Sequence, residues 1–301
     1  MSDGRLRTPT TDSVFRRYEE LRPRLPAVET EPGFRDISSL LDIADEASAF
    51  VFDAFGVLNV GETPIEGAGR RIDELRERGR RIRILTNAAS YDRRGAVAKF
   101  RRLGLSLEDD EIITSRDAAL AALTPGLWGA IAAADDELAD IGEDVIRLGD
   151  ARADFDRVDG FLFLSSSGWT EDRQALLTSS LSRRDRPVII ANADLAAPRD
   201  DGFSLEPGYF GHALADRGFD RVRFFGKPYP DVYDLAERSL PGVAPDAIVM
   251  CGDALHTDIL GAASRGWRSV LVTRDGLFSG RSTDEFCEKS RIFPDWRLPR
   301  I

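Results

Sequence analysis

Residues 50–58 read Phe-Val-Phe-Asp-Ala-Phe-Gly-Val-Leu, an apolar run that ends in a carboxylate and is closely followed by a glycine. Such a run is typical of a buried parallel strand, and open α/β sheets bind their ligands at the carboxyl ends of the strands. Gly56 would let the backbone turn tightly beside whatever Asp53 contacts. Aspartate after a strand is also a common turn residue, so this stretch alone does not decide between a site and a turn.

Strands and helices alternate along most of the chain, which predicts an α/β fold. We expect a Rossmann-like, doubly wound parallel sheet core with an inserted α/β cap domain. The expected parts are an N-terminal arm at 1–36, mobile or lying on the surface apart from a short helix near 13–21, a core formed by 37–124 and 206–301, and a cap at 125–205.

Three finer expectations concern the edges of these parts. The apolar spacing predicts helices at 37–47 and 134–140. A strand at 222–225 is expected to resume the core sheet. The cap is expected to hinge near Pro125 and Gly202, since both residue types interrupt regular structure.

Composition narrows the class of protein. The chain has 301 residues, of which 42% are hydrophobic, enough for the cores of two domains. Its net charge of −11 argues against a nucleic-acid-binding surface, which needs a basic patch. No apolar run approaches the ~20 residues of a membrane span, and none near the N-terminus is typical of a signal peptide. With only two cysteines, Cys251 and Cys287, we expect a reduced, cytoplasmic protein.

Polar residues follow four of the predicted strands, at the point where each strand ends. They are Asp53, then Thr86 with Asn87, then Lys227, and finally Asp253 with Asp258. The carboxyl ends of parallel strands share one edge of a sheet, so these side chains should converge. Carboxylate oxygens alone suit Mg²⁺, and a lysine at the same edge complements a phosphate. Taken one at a time, each of these residues also fits a cap, a turn or a solvated loop.

In this order, the four motifs resemble those of the haloacid dehalogenase superfamily of phosphohydrolases. The stretches Thr-Asn, Gly-Lys-Pro and Gly-Asp-x-x-x-Thr-Asp-Ile are similar to the class IIA-like subgroup, which carries a large α/β cap between its second and third motifs. That subgroup includes sugar-phosphate, nucleotide, phosphoglycolate and pyridoxal-phosphate phosphatases.

The resemblance implies a role for each motif residue. Asp53 would attack phosphorus and form an aspartyl-phosphate. Mg²⁺ would be held by Asp53, the backbone carbonyl of Phe55, Asp253 and Asp258. Thr86, Asn87 and Lys227 would bind the phosphate oxygens.

Position 55 departs from the family pattern. Family phosphatases have an aspartate two residues after the nucleophile, which protonates the leaving oxygen and then activates water. Phe55 can do neither, and such help is typically worth about 10²–10⁴-fold. A slow phosphatase is one expectation and a different proton donor is the other, with His256 a candidate by its proximity in sequence to Asp253.

The cap is expected to choose the substrate. The stretch Ala-Asn-Ala-Asp-Leu at 191–195 resembles a Thr-Asn-Pro-Asp stretch of the capped subgroup. Asn192, Asp194, Glu206 and Tyr209 could offer hydrogen bonds to a small polar ligand. A turn followed by a helix N-terminus explains the same residues equally well.

These observations favour a Mg²⁺-dependent hydrolase of a small phosphorylated metabolite, such as a sugar phosphate. The partners expected are that metabolite, no nucleic acid and no membrane, with a homodimer left open. Two alternatives remain. The sequence Asp-Ala-Phe-Gly at 53–56 also resembles the first motif of hydrolytic 2-haloacid dehalogenases, although Gly252 and Asp253 favour metal-dependent chemistry. The protein could also bind a phosphorylated ligand without turning it over.

Overall fold

The computed structural model of the protein describes residues 9–301, so residues 1–8 of the expected arm lie outside the described residues. In chain order the strands are β1 (Arg35–Asp36), β2 (Ala49–Phe52), β3 (Asn59–Val60), β4 (Thr63–Pro64), β5 (Arg81–Thr86), β6 (Ile112–Thr114), β7 (Trp128–Ile131), β8 (Val145–Arg147), β9 (Gly160–Phe163), β10 (Val188–Ile190), β11 (Ala196–Arg199), β12 (Gly202–Leu205), β13 (Val222–Phe224), β14 (Ile248–Gly252), β15 (Arg268–Val272) and β16 (Trp296–Leu298).

The α-helices are α1 (Thr11–Glu20), α2 (Ala68–Glu77), α3 (Arg93–Arg102), α4 (Ser115–Leu120), α5 (Arg152–Arg157), α6 (Glu171–Arg183), α7 (Pro207–Ala215), α8 (Pro230–Ser239), α9 (Leu260–Ser264) and α10 (Asp284–Ser290). Within residues 9–301, no helix combines the length and the apolar composition needed to cross a lipid bilayer.

A seven-stranded parallel sheet forms the core unit, in the order β1-β16-β15-β14-β2-β5-β6. β2 lies inside this sheet, between β14 and β5, and all of its residues are buried. Because side chains alternate along a strand, Phe50 and Phe52 pack into one apolar cluster and Ala49 and Val51 into another on the opposite face. Burial on both faces explains the unbroken apolar run, and the expected doubly wound core is confirmed.

A second parallel sheet, in the order β13-β10-β9-β7-β8, forms the core of a second unit. The strand expected at 222–225 does form, but it pairs with β10 of this sheet and not with the core sheet. The second unit therefore runs to residue 224, and the expected return to the core at 206 is corrected. The chain crosses back at 225–227, so Lys227 lies on that connection. Gly202, an expected hinge, lies instead in the antiparallel hairpin of β11 and β12.

The short helix expected near 13–21 forms as α1, and the described part of the arm reaches the core sheet. Helix α1 buries Val14, Phe15 and Tyr18 in an apolar cluster shared with Leu255 and Ile259 of the core unit. After α1, the chain adds β1 to the edge of the core sheet. The segment is therefore a built-in part of the fold.

The helix expected at 37–47 does not form; two 3₁₀ turns, Leu40–Asp42 and Ala44–Glu46, take its place. Oδ2 of Asp42 accepts hydrogen bonds from the backbone N–H groups of Ser38 and Ser39 at 3.0 and 3.1 Å. These side-chain bonds satisfy the backbone without a helix.

The helix expected at 134–140 is also absent from the described chain, which turns there instead. Oδ1 of Asp136 accepts from the backbone N–H of Leu138 at 3.0 Å. Oδ2 accepts from the buried guanidinium of Arg116 at 2.6 Å. Asp136 thus serves an ion pair and a turn in place of a helical position.

Candidate active site

Three carboxylates lie at the carboxyl edge of the core sheet. Asp53 directly follows β2, Asp253 directly follows the neighbouring β14, and Asp258 lies in a π-helical turn, Leu255–Ile259, that comes next. One oxygen atom of each carboxylate lies within 4.8 Å of the others. A donor set made only of carboxylate oxygens fits a hard divalent cation such as Mg²⁺.

Lys227 lies among these carboxylates. Its Nζ atom is 2.6 Å from Oδ1 of Asp53 and donates a hydrogen bond to Oδ1 of Asp258 at 2.7 Å. Its side chain is only 1% exposed, so these charged contacts are screened little by water. One ammonium therefore faces a cluster that carries three negative charges when ionised.

The excess of negative charge shifts the pKa values of the carboxyl groups and of the lysine in this cluster. Burial raises the pKa of Asp53 to about 6, with Lys227 opposing the rise and Asp258 adding to it. Burial, then Asp258 and Asp53, raise the pKa of Asp253 well above its usual range. Burial alone would lower the pKa of Lys227, but Asp258 and Asp53 raise it above its usual value. A divalent cation would relieve the same repulsion, so the electrostatics agree with the donor set.

Gly56 allows the chain to pass very close to Asp253. Its φ is +77°, and a Cβ atom at this position would lie 2.6 Å from Oδ2 of Asp253. That oxygen accepts a hydrogen bond from the backbone N–H of Leu277 at 2.7 Å. The glycine after the first motif is thus explained by both conformation and space.

Thr86 ends β5 and Asn87 follows it, at the same edge of the sheet, as expected. Oγ1 of Thr86 accepts a hydrogen bond from the backbone N–H of Ala88 at 3.1 Å. The amide of Asn87 accepts from the backbone N–H of Lys227 at 2.6 Å and donates to its carbonyl at 3.0 Å. It also donates to Oδ1 of Asp194 at 2.8 Å. Asn87 therefore lies behind the substrate space, where it holds Lys227 and Asp194, and this differs from the direct contact expected.

The loop after β10 brings part of the second unit to the site. Nδ2 of Asn192 donates to Oε2 of Glu206 at 3.1 Å, and its Oδ1 accepts from the backbone N–H of Asp194 at 2.9 Å. Oε1 of Glu206 accepts from Arg199 at 2.8 Å and from Ser204 at 2.6 Å. Three of the four residues expected to bind the substrate from this unit therefore lie in one hydrogen-bonded group.

Tyr209, the fourth, lies elsewhere. It borders a cavity beside α1, together with Val14 and Leu195. Its ring packs edge-on against Phe210 at 5.4 Å between centroids. Tyr209 borders neither of the cavities that Asn192, Asp194 and Glu206 line, and sequence spacing alone could not show that.

Two cavities meet at the site. The inner crevice, of about 20 Å³, has room for about one water molecule; it is bordered by Asp53, Asp253 and, from α1, Tyr18. The outer cavity, of about 630 Å³, lies between the two units and is bordered by residues 165–167 and by Asn192 and Glu206. The arrangement offers a small charged end and a larger polar end.

The ring of Phe55 lies between two cations at the join of these cavities. Nζ of Lys99 is 4.6 Å and Cζ of Arg199 is 4.8 Å from the ring centroid. Lys99 is nearly buried and pairs with Glu62 at 2.9 Å. Our sequence reasoning assigned no role to Lys99, although its being one of only three lysines was a usable signal.

His256 faces helix α1 and borders neither cavity. Its Nε2 is 2.6 Å from Oε1 of Glu19, and its ring stacks on Tyr18 at 4.9 Å between centroids. Burial lowers the pKa of His256. Its expected role as a substitute proton donor is therefore not supported by its position.

Helix α1 also bonds to both units. Thr11 donates to the carbonyl of Leu277 in the core unit at 2.8 Å. The hydroxyl oxygen of Tyr18 accepts from the backbone N–H of Leu195 in the second unit at 3.2 Å. Arg17 pairs with Asp216 of the second unit. Nothing in the residue pattern indicates these contacts, because they join residues far apart in the chain.

Two family models match separate segments of the chain. One, described as a haloacid dehalogenase-like hydrolase, matches residues 50–131, and the other, described as HAD-hydrolase-like, matches residues 224–295. Together they cover about half of the chain, and the carboxylates and Lys227 of the site lie within them.

Similar proteins extend over most of the chain. Human glycerol-3-phosphate phosphatase is 26% identical over an alignment 313 residues long. The alignment covers 92% of this chain and 93% of the human protein. A glycerol phosphate phosphatase from Mycobacterium tuberculosis, solved in complex with magnesium, is 25% identical with a TM-score of 0.61, covering 79% of this chain and 71% of that one.

The fold has a further match in a structure of a possible sugar phosphatase from Cytophaga hutchinsonii. It is 23% identical, with a TM-score of 0.76, and covers 89% of this chain and 98% of that one. The four motifs, the two-unit fold and these similarities establish that the chain belongs to the haloacid dehalogenase-like hydrolases of the capped, class IIA type.

Proposed function

We propose that this hydrolase is a Mg²⁺-dependent phosphatase of a small phosphorylated metabolite and that it works through an aspartyl-phosphate on Asp53. The observation that carries the proposal is the cluster of Asp53, Asp253 and Asp258 around Lys227, at the base of the inner crevice that Asp53 and Asp253 border. It combines a nucleophile, a cation site and a phosphate-binding ammonium. The similarity to two phosphatases of glycerol phosphate supports the same class of substrate.

Each residue of the site has its own role in the proposed reaction. A carboxylate oxygen of Asp53 attacks phosphorus, and the ester bond breaks as the aspartyl-phosphate forms. Lys227 and the hydroxyl of Thr86 donate to the phosphoryl oxygens and stabilise the charge of the transition state. Water then attacks the aspartyl-phosphate and restores Asp53.

Asp53, Asp253, Asp258 and the backbone carbonyl of Phe55 would hold the cation. When bound, Mg²⁺ supplies positive charge that reduces repulsion between Asp53 and the phosphate. Lys227 would then turn its ammonium from the carboxylates towards phosphate oxygens.

The outer cavity accounts for the organic part of the substrate. At about 630 Å³, it matches the size typical of small-molecule sites. Its border is rich in hydroxyl groups from residues 165–167, with the amide of Asn192 beside them. Such a lining suits a hydroxylated compound such as a glycerol or sugar phosphate. Residues 125–224 act as the cap that closes over this space and excludes water.

The test is phosphate release from glycerol 3-phosphate and a set of sugar phosphates, with Mg²⁺ and with EDTA. We expect release only with the metal, and none from Asp53→Asn, which keeps the shape but loses the nucleophile. Chloride release from 2-chloropropionate without metal would instead favour a dehalogenase. Binding of glycerol 3-phosphate by calorimetry with no release of phosphate would favour a binding protein.

A further inference from the structure

The two cavities of the site share part of their border. Only Phe55, Asp194 and Ala197 border both the inner crevice and the outer cavity within residues 9–301. Phe55 and Ala197 carry hydrocarbon side chains. Asp194 is therefore the one residue at this boundary that can transfer a proton.

The boundary is where the reacting ester oxygen must lie if the proposed function is correct, and the inference rests on it. The phosphoryl group belongs beside Asp53, where the inner crevice must widen to admit it, and the organic group fills the outer cavity. The oxygen that joins them lies between the two. A proton donor for that oxygen must therefore reach the boundary, which Lys99 and Glu206, bordering only the outer cavity, do not.

We propose that Asp194, carried by the second unit, performs the proton transfers that Phe55 cannot. In the first step the Asp194 carboxyl gives its proton to the leaving oxygen while Asp53 forms its bond to phosphorus, so an alcohol departs. In the second step the Asp194 carboxylate accepts a proton from the water that attacks the aspartyl-phosphate. Inorganic phosphate leaves, Asp53 returns to its free carboxylate and Asp194 is again a carboxylic acid.

The position of Asp194 suits this role. Its Oδ1 is held by the amide of Asn87 at 2.8 Å, and its backbone N–H by Asn192 at 2.9 Å. Within the described chain Oδ2 has no hydrogen-bond partner, so it can face the boundary. Burial, only partly offset by Lys227 and reinforced by Asp53, raises the pKa of Asp194 well above its usual range. A raised pKa favours the protonated carboxyl that the first step needs as its acid.

The same arrangement makes the chemistry depend on the second unit. Asn87 of the core unit bonds both Lys227 and Asp194, so it sets the distance between the phosphate site and the proton donor. A departure of the second unit would remove the donor from the crevice.

The experiment compares leaving groups. In Asp194→Asn, the oxygen that accepts from Asn87 remains, but the proton is lost. We measure kcat/KM with Mg²⁺ for glycerol 3-phosphate, phenyl phosphate and 2,4-dinitrophenyl phosphate. The native enzyme should show little dependence on the leaving group. The variant should lose about 10²–10⁴-fold on glycerol 3-phosphate and less than about tenfold on the dinitrophenyl ester, whose leaving group needs no proton.

Asp172→Asn is the matched control, because Asp172 is exposed and borders neither cavity. That change should leave kcat/KM unchanged for all three esters. Asp194→Ala should repeat the leaving-group dependence if Asp194→Asn fails to fold. Equal losses of Asp194→Asn on all three esters, or no loss, would overturn the proposed role. A native protein that releases no phosphate from any ester would overturn the proposed function, and the role of Asp194 with it.

Discussion

Lys227 is the ammonium that contacts the cluster of Asp53, Asp253 and Asp258, and replacing it tests the electrostatics of the site without any substrate. Lys227→Met keeps a side chain of similar length and removes the charge. The variant loses the contacts to Asp53 at 2.6 Å and to Asp258 at 2.7 Å. Both lie in a place where the lysine is 1% exposed, so water cannot replace them.

The loss of folding stability in Lys227→Met can be estimated from the burial of its ion pairs. Removing one partner of a buried ion pair typically costs about 3–5 kcal/mol, because the other charge stays buried without compensation. The free energy of unfolding that Lys227→Met loses should depend on pH in a defined direction. The pKa of Asp53 is already raised, to about 6, and losing Lys227 raises it further. A carboxyl whose pKa is raised in the folded state destabilises the fold once the pH exceeds its unfolded value. The deficit should therefore be largest near pH 8 and smaller near pH 5.

The measurement is urea unfolding in EDTA at both pH values, followed by fluorescence. Lys289→Met is the matched control, since Lys289 is an exposed lysine paired with Glu285 at 2.7 Å, and it should leave the unfolding midpoint unchanged within error. Mg²⁺ should stabilise Lys227→Met by about 2.7 kcal/mol at a hundred times the variant's dissociation constant, and by more than it stabilises the native protein at the same Mg²⁺ concentration, because losing the ammonium strengthens the attraction of the carboxylates for the cation. If Lys227→Met unfolds at the native midpoint in EDTA at pH 8, then Lys227 does not neutralise this cluster.

Two further predictions concern the metal and the acid limit of stability. Asp253→Asn should weaken Mg²⁺ binding measured by calorimetry at least tenfold, because it removes one of the carboxylates that face the cation; unchanged affinity would move the metal elsewhere. Burial, with Arg24 and Arg17 nearby, lowers the pKa of His212 to about 3. Below pH 6.5 the imidazole therefore becomes protonated in the unfolded chain while it stays neutral in the folded protein. His212 should therefore cost about 2 kcal/mol of stability between pH 7 and pH 5. His212→Gln should lessen that fall in urea titrations, and an identical fall would assign it to other groups.

The catalytic edge could be predicted from the sequence because it depends on a local rule. Asp53 and Asp253 directly follow apolar strands and Thr86 ends one, and parallel strands end at one edge whatever their order. The turn that follows β14 adds Asp258 to the same place. No long-range information was needed to bring these residues together.

The parts that could not be predicted depend on which surface a segment meets. The strand at 222–224 has only three residues and lies at the edge of its sheet, and both sheets are parallel, so its residues do not encode which sheet it joins. His256 is close in sequence to Asp253, but its partner, Glu19, is 237 positions away. At 37–47 the helical spacing was present, yet the caps formed by Asp42 prevailed over it.

Helix α1 ties together two units that a capped hydrolase must separate to exchange substrate for product. It is bonded to the core through Thr11 and to the second unit through Arg17 and Tyr18. For the second unit to swing open, α1 must either travel with it and give up the core, or stay and release Asp216 and Leu195. Contacts of α1 would therefore have to break before the two units separate. The lifetime of the closed state would then depend on Thr11, Arg17 and Tyr18, which lie more than a hundred positions from either connection between the units.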